Sequence, residues 1–199
     1  MIDLVIASKN EGKIREIVDI LRPSGIKTLT YKDFPEWPDV EETGDTFFDN
    51  AMLKAKALVD LLGVAAVSDD SGLEVDALGG APGVYSARYA GEDGNAAKNN
   101  ERLLRELDGI SEEKRTARFH CVAVLLFHDG RVVRADGTLE GRIGFEKKGR
   151  DGFGYDPLFI PEGESRTVAE MSLEEKNKIS HRAQAFEKLS EEIDKFTTD

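Results

Sequence analysis

Two adjacent carboxylates, Asp69 and Asp70, stand one residue beyond the apolar run Val64–Val67 and ahead of Ser71 and Gly72. A carboxylate held at the end of a buried strand can ligate a divalent cation or take a proton from water. Open α/β folds place their ligands at such strand ends. Asp, Ser and Gly are also turn residues, so a tight turn closing a strand is the alternative reading. A second polar string, Ser8-Lys9-Asn10-Glu11-Gly12-Lys13, lies between the apolar run Ile2–Ala7 and a helical pattern of Ile14, Ile17, Val18 and Leu21. Strand, polar loop and helix N-terminus in that order favour an anion, because the first backbone N–H groups of a helix lack intrahelical partners. Ser8 and Asn10 add side-chain donors and Lys13 a positive charge. The string lacks the GxxxxGK[ST] pattern of a P-loop, so any phosphate cradle here is of another kind, and a plain helix cap is the alternative.

Three further groups of residues have chemical potential. Glu41 and Glu42 precede a helix that Asp45 or Thr46 would cap. Acids there commonly serve the helix dipole, but Glu41 could supply a second metal oxygen beside Asp70. Lys54, about two turns along that helix, could point back into a cleft or simply be solvated. In GRDGFGYDP, Gly149–Pro157, three glycines permit close backbone approach, Phe153 and Tyr155 offer faces for stacking a base, and Asp156 could accept from a ring N–H. A bulge or turn with its aromatics in the core is the other reading. Lys176, His181 and Arg182 gather near the start of the last helix, where cations oppose the macrodipole.

Composition narrows the classes. The chain has 199 residues, 40% of them apolar, with no apolar run near the roughly 18 residues of a membrane span. The start, MIDLVIASKNEGK, reads as a first strand and not as a signal peptide. Cys121 is the single cysteine, which allows no internal disulfide and fits a reducing cytoplasm. With 27 basic and 39 acidic residues the net charge is −12, which disfavours nucleic acid and anionic membranes as partners but not a small polyanion held by a metal and local lysines.

The elements that must position these groups follow from periodicity. Strands are expected at Ile2–Ala7 and Ile26–Thr30, and a loop over Tyr31–Val40. A helix follows Thr46 with Phe47, Ala51, Ala55, Leu58, Val59 and Leu62 buried; a second covers Asn95–Leu107. Pro23 should end the first helix. Thr116–Phe127 and Arg131–Thr138 form a hairpin around His128-Asp129-Gly130. The last helix runs from Ser180 with Ala185, Phe186, Leu189 and Ile193 as its stripe. His120, His128 and His181 show no metal-binding spacing.

Five ordered strings carry a family resemblance: SKNEGK from Ser8, EETGDTFFDNAMLKA from Glu41, SDDSGLEVDALGGAPGVYSARYAG from Ser68, GFGYDP from Gly152 and KNKISHRA from Lys176. Together they resemble the inosine/xanthosine triphosphate pyrophosphatases. The resemblance implies a single domain over residues 1–199 with an elongated mixed α/β sheet flanked by helices, two lobes and a central nucleotide-binding cleft, usually as a cytoplasmic homodimer. It implies Mg2+-dependent hydrolysis of XTP, ITP or dITP to the monophosphate and pyrophosphate. It also implies that Asp70 is proton acceptor and metal ligand, and that Glu41 is a metal ligand. By the same resemblance Ser8, Lys9, Asn10, Glu11, Gly12, Lys13, Ser71, Phe153, Gly154, Tyr155, Asp156, Lys176, His181 and Arg182 contact the nucleotide. Lys13 and Lys54 would balance phosphate charge, and Lys176 or Arg182 would pair with the C6 oxygen that hypoxanthine and xanthine carry and adenine lacks. A phosphohydrolase of other nucleotides and a nucleotide binder without turnover are the competing classes.

Overall fold

The computed structural model describes residues 3–22, 26–91 and 95–197. The chain is mixed α/β. β1 (Asp3–Ile6), β2 (Lys27–Leu29), β3 (Ala66–Val75), β4 (Thr116–Leu126), β5 (Val132–Ile143) and β6 (Phe159–Pro161) form one six-stranded sheet in the order β2-β1-β3-β4-β5-β6. β1 runs parallel to β2 and β3, and β5 antiparallel to β6. The helices are α1 (Glu11–Leu21), α2 (Phe47–Leu62), α3 (Ala96–Glu106), α4 (Leu173–Ile179) and α5 (His181–Thr197). The expected strands, hairpin and amphipathic helices are all present. The helix stop assigned to Pro23 lies outside the described residues, as does Ile2 of the first strand.

Two compact units divide the chain: Met1–Asp70, Cys121–Gly137 and His181–Asp199 in the first, Ser71–His120 and Thr138–Ser180 in the second. The divisions fall inside β3, β4 and β5 and between α4 and α5. In the first unit Leu4, Ile6, Ile14, Ile17 and Leu21 pack with Val67, Cys121, Ala123 and the α5 stripe of Ala185, Phe186, Leu189 and Ile193. Val5 and Ala7, on the opposite face of β1, meet Ala55, Leu58 and Val59 of α2. The period-two alternation of β1 thus places one helix layer on each side of the strand. In the second unit Leu73, Val75, Leu103, Leu107, Ile143, Tyr155, Leu158 and Phe159 form the core.

Local chemistry sets the helix boundaries. Asn10 caps α1, Thr46 caps α2, and Gly63, at φ 66°, ends α2 in the left-handed region that glycine adopts without steric cost. Ser172 and Glu175 form a reciprocal capping box that starts α4, and Ser180, in extended conformation, ends it. Lys176 therefore belongs to α4 and not to the start of the last helix, which begins one residue later than expected at His181.

The largest departure from the sequence reading is at Asp69 and Asp70. The string is neither a turn nor a strand end, because β3 runs on through Ser71 and Gly72 to Val75. Polar residues persist inside a buried strand only when their side chains find partners, and both aspartates do.

Candidate active site

In the first unit the two aspartates project to different surroundings, as consecutive strand residues must. Asp69 is 2% exposed. Its Oδ2 lies 3.1 Å from Lys13 Nζ and accepts from Arg182 Nη2 at 3.2 Å and Nε at 3.3 Å. Arg182 comes from the first turn of α5, is 1% exposed, and also donates to Glu16 of α1. Burial alone would raise the Asp69 carboxyl, but Lys13 and Arg182 outweigh it and hold Asp69 far below the usual carboxylate range. Burial likewise opposes the Arg182 charge, and Asp69 with Glu16 overturns that and raises it. Cys121, in the same core, has its thiol pushed well up by burial and the adjacent Asp69 charge, so it stays protonated and unreactive.

Asp70 has the opposite character. Its Oδ2 accepts from Asn50 Nδ2 at 3.1 Å, and its Oδ1 lies 3.5 Å from Lys54 Nζ. Lys54 is shared with Glu42, at 2.6 Å. Burial raises the Asp70 carboxyl above the ordinary value and Glu42 adds to that, while Lys54 and Lys13 pull the other way without cancelling it. Lys54 is itself held cationic, because Asp70 and Glu42 outweigh the cost of its burial. Two neighbouring carboxylates thus shift in opposite directions for identifiable reasons: Lys13 and Arg182 hold Asp69 low, and burial holds Asp70 high.

The other expected residues of this unit are placed as follows. Asn10 Oδ1 accepts from the N–H groups of Gly12 at 2.9 Å and Lys13 at 3.1 Å, and Ser8 Oγ accepts from Asn10 N at 3.1 Å. The start of α1 is therefore a side-chain-capped helix, with two of its N–H groups turned to Asn10 and not outward to an anion. Lys13 is not a solvated lysine, since its side chain is 16% exposed and bound to Asp69. Lys9 is exposed and pairs with Asp39 at 3.4 Å; Glu11 accepts from Tyr31 and Lys32. Glu41 is exposed, and it is Glu42 that joins the Lys54–Asp70 group. His181 is buried.

In the second unit the glycine-rich string forms a turn organised by Asp156. Its Oδ2 accepts from Phe153 N at 2.8 Å and from Lys176 Nζ at 2.7 Å. A Cβ at Gly152, where φ is +75°, would fall 2.2 Å from that oxygen, so glycine is required there. Lys176 Nζ also lies 4.5 Å from the centre of the Phe153 ring, which pins ring and ammonium together. Gly154 O accepts from Asn100 Nδ2 at 2.8 Å. Tyr155 does not offer a stacking face: it is 5% exposed and its hydroxyl donates to Ser86 O at 2.9 Å, so the core reading holds for it. Phe153 is half-buried, and Ser71 is half-buried at the first position of this unit.

The expectation that Arg182 reads a base oxygen meets a guanidinium enclosed in the core and bound to two carboxylates. A cation at a helix N-terminus is tolerated here because Asp69 and Glu16 face it. Sequence reasoning passed over Glu16 and Asn50 and gave Glu42 to the helix dipole. Asn50 carries a legible signal, standing one turn after Phe47 at the edge of the α2 stripe, where a polar side chain cannot be buried without partners; Glu16, two residues after Ile14, falls off the α1 stripe and carries none. For Glu42 nothing in the sequence separates it from Glu41.

A magnesium ion suits this donor set. Lys54 already places one positive charge within 3.5 Å of both Glu42 and Asp70 oxygens, so the group of oxygens faces a cation position. Mg2+ is commonly held by one or two carboxylates, with waters and phosphate oxygens completing the shell. Among the described residues no three His, Cys, Asp or Glu side chains gather into one group.

The model of the Ham1 family matches residues 4–192. The chain belongs to the Ham1 family. It is 50% identical over 192 residues to a dITP/XTP pyrophosphatase of Geobacillus kaustophilus, covering 96% of this chain and 94% of that one. It is 51% identical over 194 residues to a dITP/XTP pyrophosphatase of Elusimicrobium minutum, covering 96% and 98%. Among solved structures, a HAM1 protein from Coxiella burnetii matches with TM-score 0.88 and 41% identity, covering 98% of this chain and 100% of that one. The Staphylococcus aureus Ham1 protein matches with TM-score 0.85 and 41% identity, covering 96% and 98%. The resemblance drawn from the five strings and the mixed α/β fold are both borne out in this Ham1 chain.

Proposed function

We propose that this chain hydrolyses non-standard purine nucleoside triphosphates, dITP, ITP and XTP, to the monophosphate and pyrophosphate. The observation that carries this reading is Asp70: a buried carboxylate of raised proton affinity, oriented by Asn50 and flanked by Lys54 and Lys13. Water adds across the anhydride between the α and β phosphates, pyrophosphate departs, and Asp70 accepts the proton lost by the water. Lys13 and Lys54 offset phosphate charge. Asp70 would hold Mg2+ together with Glu41, as the family resemblance implies, or with Glu42, which shares Lys54 with it. When bound, the ion supplies charge neutralisation on the phosphate oxygens.

Recognition of the base falls to Phe153, with Lys176 and Asp156 beside it. The Lys176 ammonium can donate to a C6 oxygen but meets an unpaired donor in the adenine amino group, a mismatch that discriminates strongly in a buried site. Ser8, Lys9, Asn10, Glu11, Gly12, Ser71, Gly154 and His181 are taken as the remaining nucleotide contacts. Arg182 and Tyr155 act from behind, one anchoring Asp69 and the other the 152–156 turn. The chain is further taken to work as a cytoplasmic homodimer, which sedimentation velocity checks. Among the described residues no helix is long and apolar enough to cross a membrane.

The test is a panel of ITP, dITP, XTP, GTP and ATP with Mg2+, reading pyrophosphate and orthophosphate separately. Pyrophosphate from the first three, well above GTP and ATP, is expected. Orthophosphate as the primary product, or binding without turnover, would sink the proposal.

A further inference from the structure

The turn that carries Phe153 and Asp156 contains a peptide that packing does not hold. Gly154 sits at φ +61°, and a Cβ placed on it would meet nothing within 4 Å. Glycine passes readily between backbone conformations, so the peptide plane between Gly154 and Tyr155 is free to rotate unless a bond fixes it. That bond comes from Asn100 of α3, a side chain 3% exposed. Its Nδ2 donates to Gly154 O at 2.8 Å and to Ala96 O, one turn back in its own helix, at 2.7 Å. Both partners are carbonyl oxygens, which only accept, so the amide nitrogen must face them and the side chain cannot be turned round. The Tyr155 side chain is tied separately, through its hydroxyl to Ser86 O at 2.9 Å. The Gly154–Tyr155 peptide is trans, and in a trans peptide the N–H points opposite to the C=O. Holding Gly154 O towards α3 therefore turns the Tyr155 N–H away from α3. Among the described residues that N–H meets no acceptor.

We infer that Asn100 is a positioning residue for base recognition: by holding Gly154 O it presents the Tyr155 N–H as a fixed main-chain donor to an acceptor atom of the purine. The inference rests on the reading of residues 152–156 as the base-binding turn. A donor fixed before the nucleotide arrives needs no ordering when it binds, and that saving goes into affinity. Without Asn100 the glycine peptide samples other orientations, and only a fraction of them offer the N–H to the ligand. Asn100 itself touches neither the phosphates nor the turn's aromatic ring. Its loss should therefore raise KM and leave kcat almost unchanged. A ligand that has the phosphate chain and no base should not register the loss at all.

The experiment uses the full chain with Asn100→Ser and Asn100→Asp, and records melting temperatures, kinetics with ITP and Mg2+, and competitive inhibition by inorganic tripolyphosphate. Asn100→Ser keeps a hydroxyl for the carbonyl one turn back and cannot reach Gly154, whereas Asn100→Asp is nearly isosteric and sets oxygen against both carbonyls. The two variants thus break the same bond by different routes, and one remains if the other unfolds. KM for ITP should rise roughly 5-fold or more in both, with kcat within about 3-fold and the inhibition constant of tripolyphosphate within about 2-fold. A second readout is the amide proton of Tyr155, one of four tyrosines, observed by NMR with 15N-tyrosine labelling and identified through Tyr155→Phe. Inosine monophosphate, at concentrations that inhibit ITP hydrolysis, should move that proton downfield in the wild type and less in Asn100→Ser; tripolyphosphate should not move it. Unchanged KM in a folded variant would overturn the inference. So would an equal loss of tripolyphosphate binding, or a Tyr155 amide that ignores inosine monophosphate. Failure of the wild-type chain to release pyrophosphate from ITP would instead overturn the functional proposal, leaving the two failures distinct.

Discussion

Replacing Asp69 by Asn should destabilise this protein far more than replacing its neighbour Asp70. Asn preserves the shape of Asp69 and removes its charge. The charge faces Lys13 at 3.1 Å and the Arg182 guanidinium at 3.2 Å, with the Asp69 side chain 1% exposed and that of Arg182 2%. Breaking a buried ion pair by removing one partner typically costs about 3–5 kcal/mol, because the other charge stays buried without compensation. Arg182 keeps Glu16, and the Asn carbonyl can keep one hydrogen bond, so the lower end, about 3 kcal/mol, is expected. For a domain of this size that is a fall in Tm of roughly 6–12 °C. The pH dependence carries a second signature. The Asp69 carboxyl is lowered in the fold, so its contribution is complete above the unfolded value near 3.9 and is lost as pH falls through that value towards the lower folded one. Wild-type stability should therefore climb between about pH 3 and 5 more steeply than that of the variant. Urea and thermal denaturation of both proteins across pH 3–8 measure these quantities. A loss below about 1 kcal/mol at pH 7 would mean that the charge network is not holding α1, β3 and α5 together, and the reasoning would fail.

Asp70→Asn should cut turnover by roughly 10²-fold or more while leaving Tm at pH 7 equal or higher, since burial raises the Asp70 carboxyl and its ionised form is unfavourable in the fold; a folded variant with near wild-type turnover would remove Asp70 from the mechanism. Gly152→Ala places a Cβ 2.2 Å from Asp156 Oδ2 at a φ of +75°, so it should raise KM for ITP several-fold with little effect on kcat; kinetics that leave KM unchanged would detach the turn from base binding. Phe153→Ala should lower kcat/KM for ITP and GTP by similar factors, about 1–3 kcal/mol each, because stacking does not distinguish purines; a loss confined to ITP would contradict that role.

Much of this fold was legible in the residue pattern. The α2 stripe, the amphipathic helix α3 and the hairpin around Asp129-Gly130 depend on local periodicity and turn chemistry, which neighbours in sequence suffice to specify. So did the candidacy of Asp70, Lys13, Lys54, Phe153 and Lys176, whose residue types sit in unusual strings. Roles that depend on partners distant in sequence were not legible. Asp69 and Asp70 look alike in the chain, and only the packing separates them. Asp69 is met by Lys13 and by Arg182, 113 residues away, whereas Asp70 is met by Asn50 and Lys54 of α2. Burial opposes ionisation of both carboxylates. The cations around each decide which carboxyl is lowered and which stays raised. The same holds for Arg182 and Tyr155, whose chemistry suggested base contact and whose burial gives them to the core. A sequence states which groups can ionise, donate or stack. Which of them are desolvated, and against what charge, is decided by long-range contacts that exist only once the chain has folded.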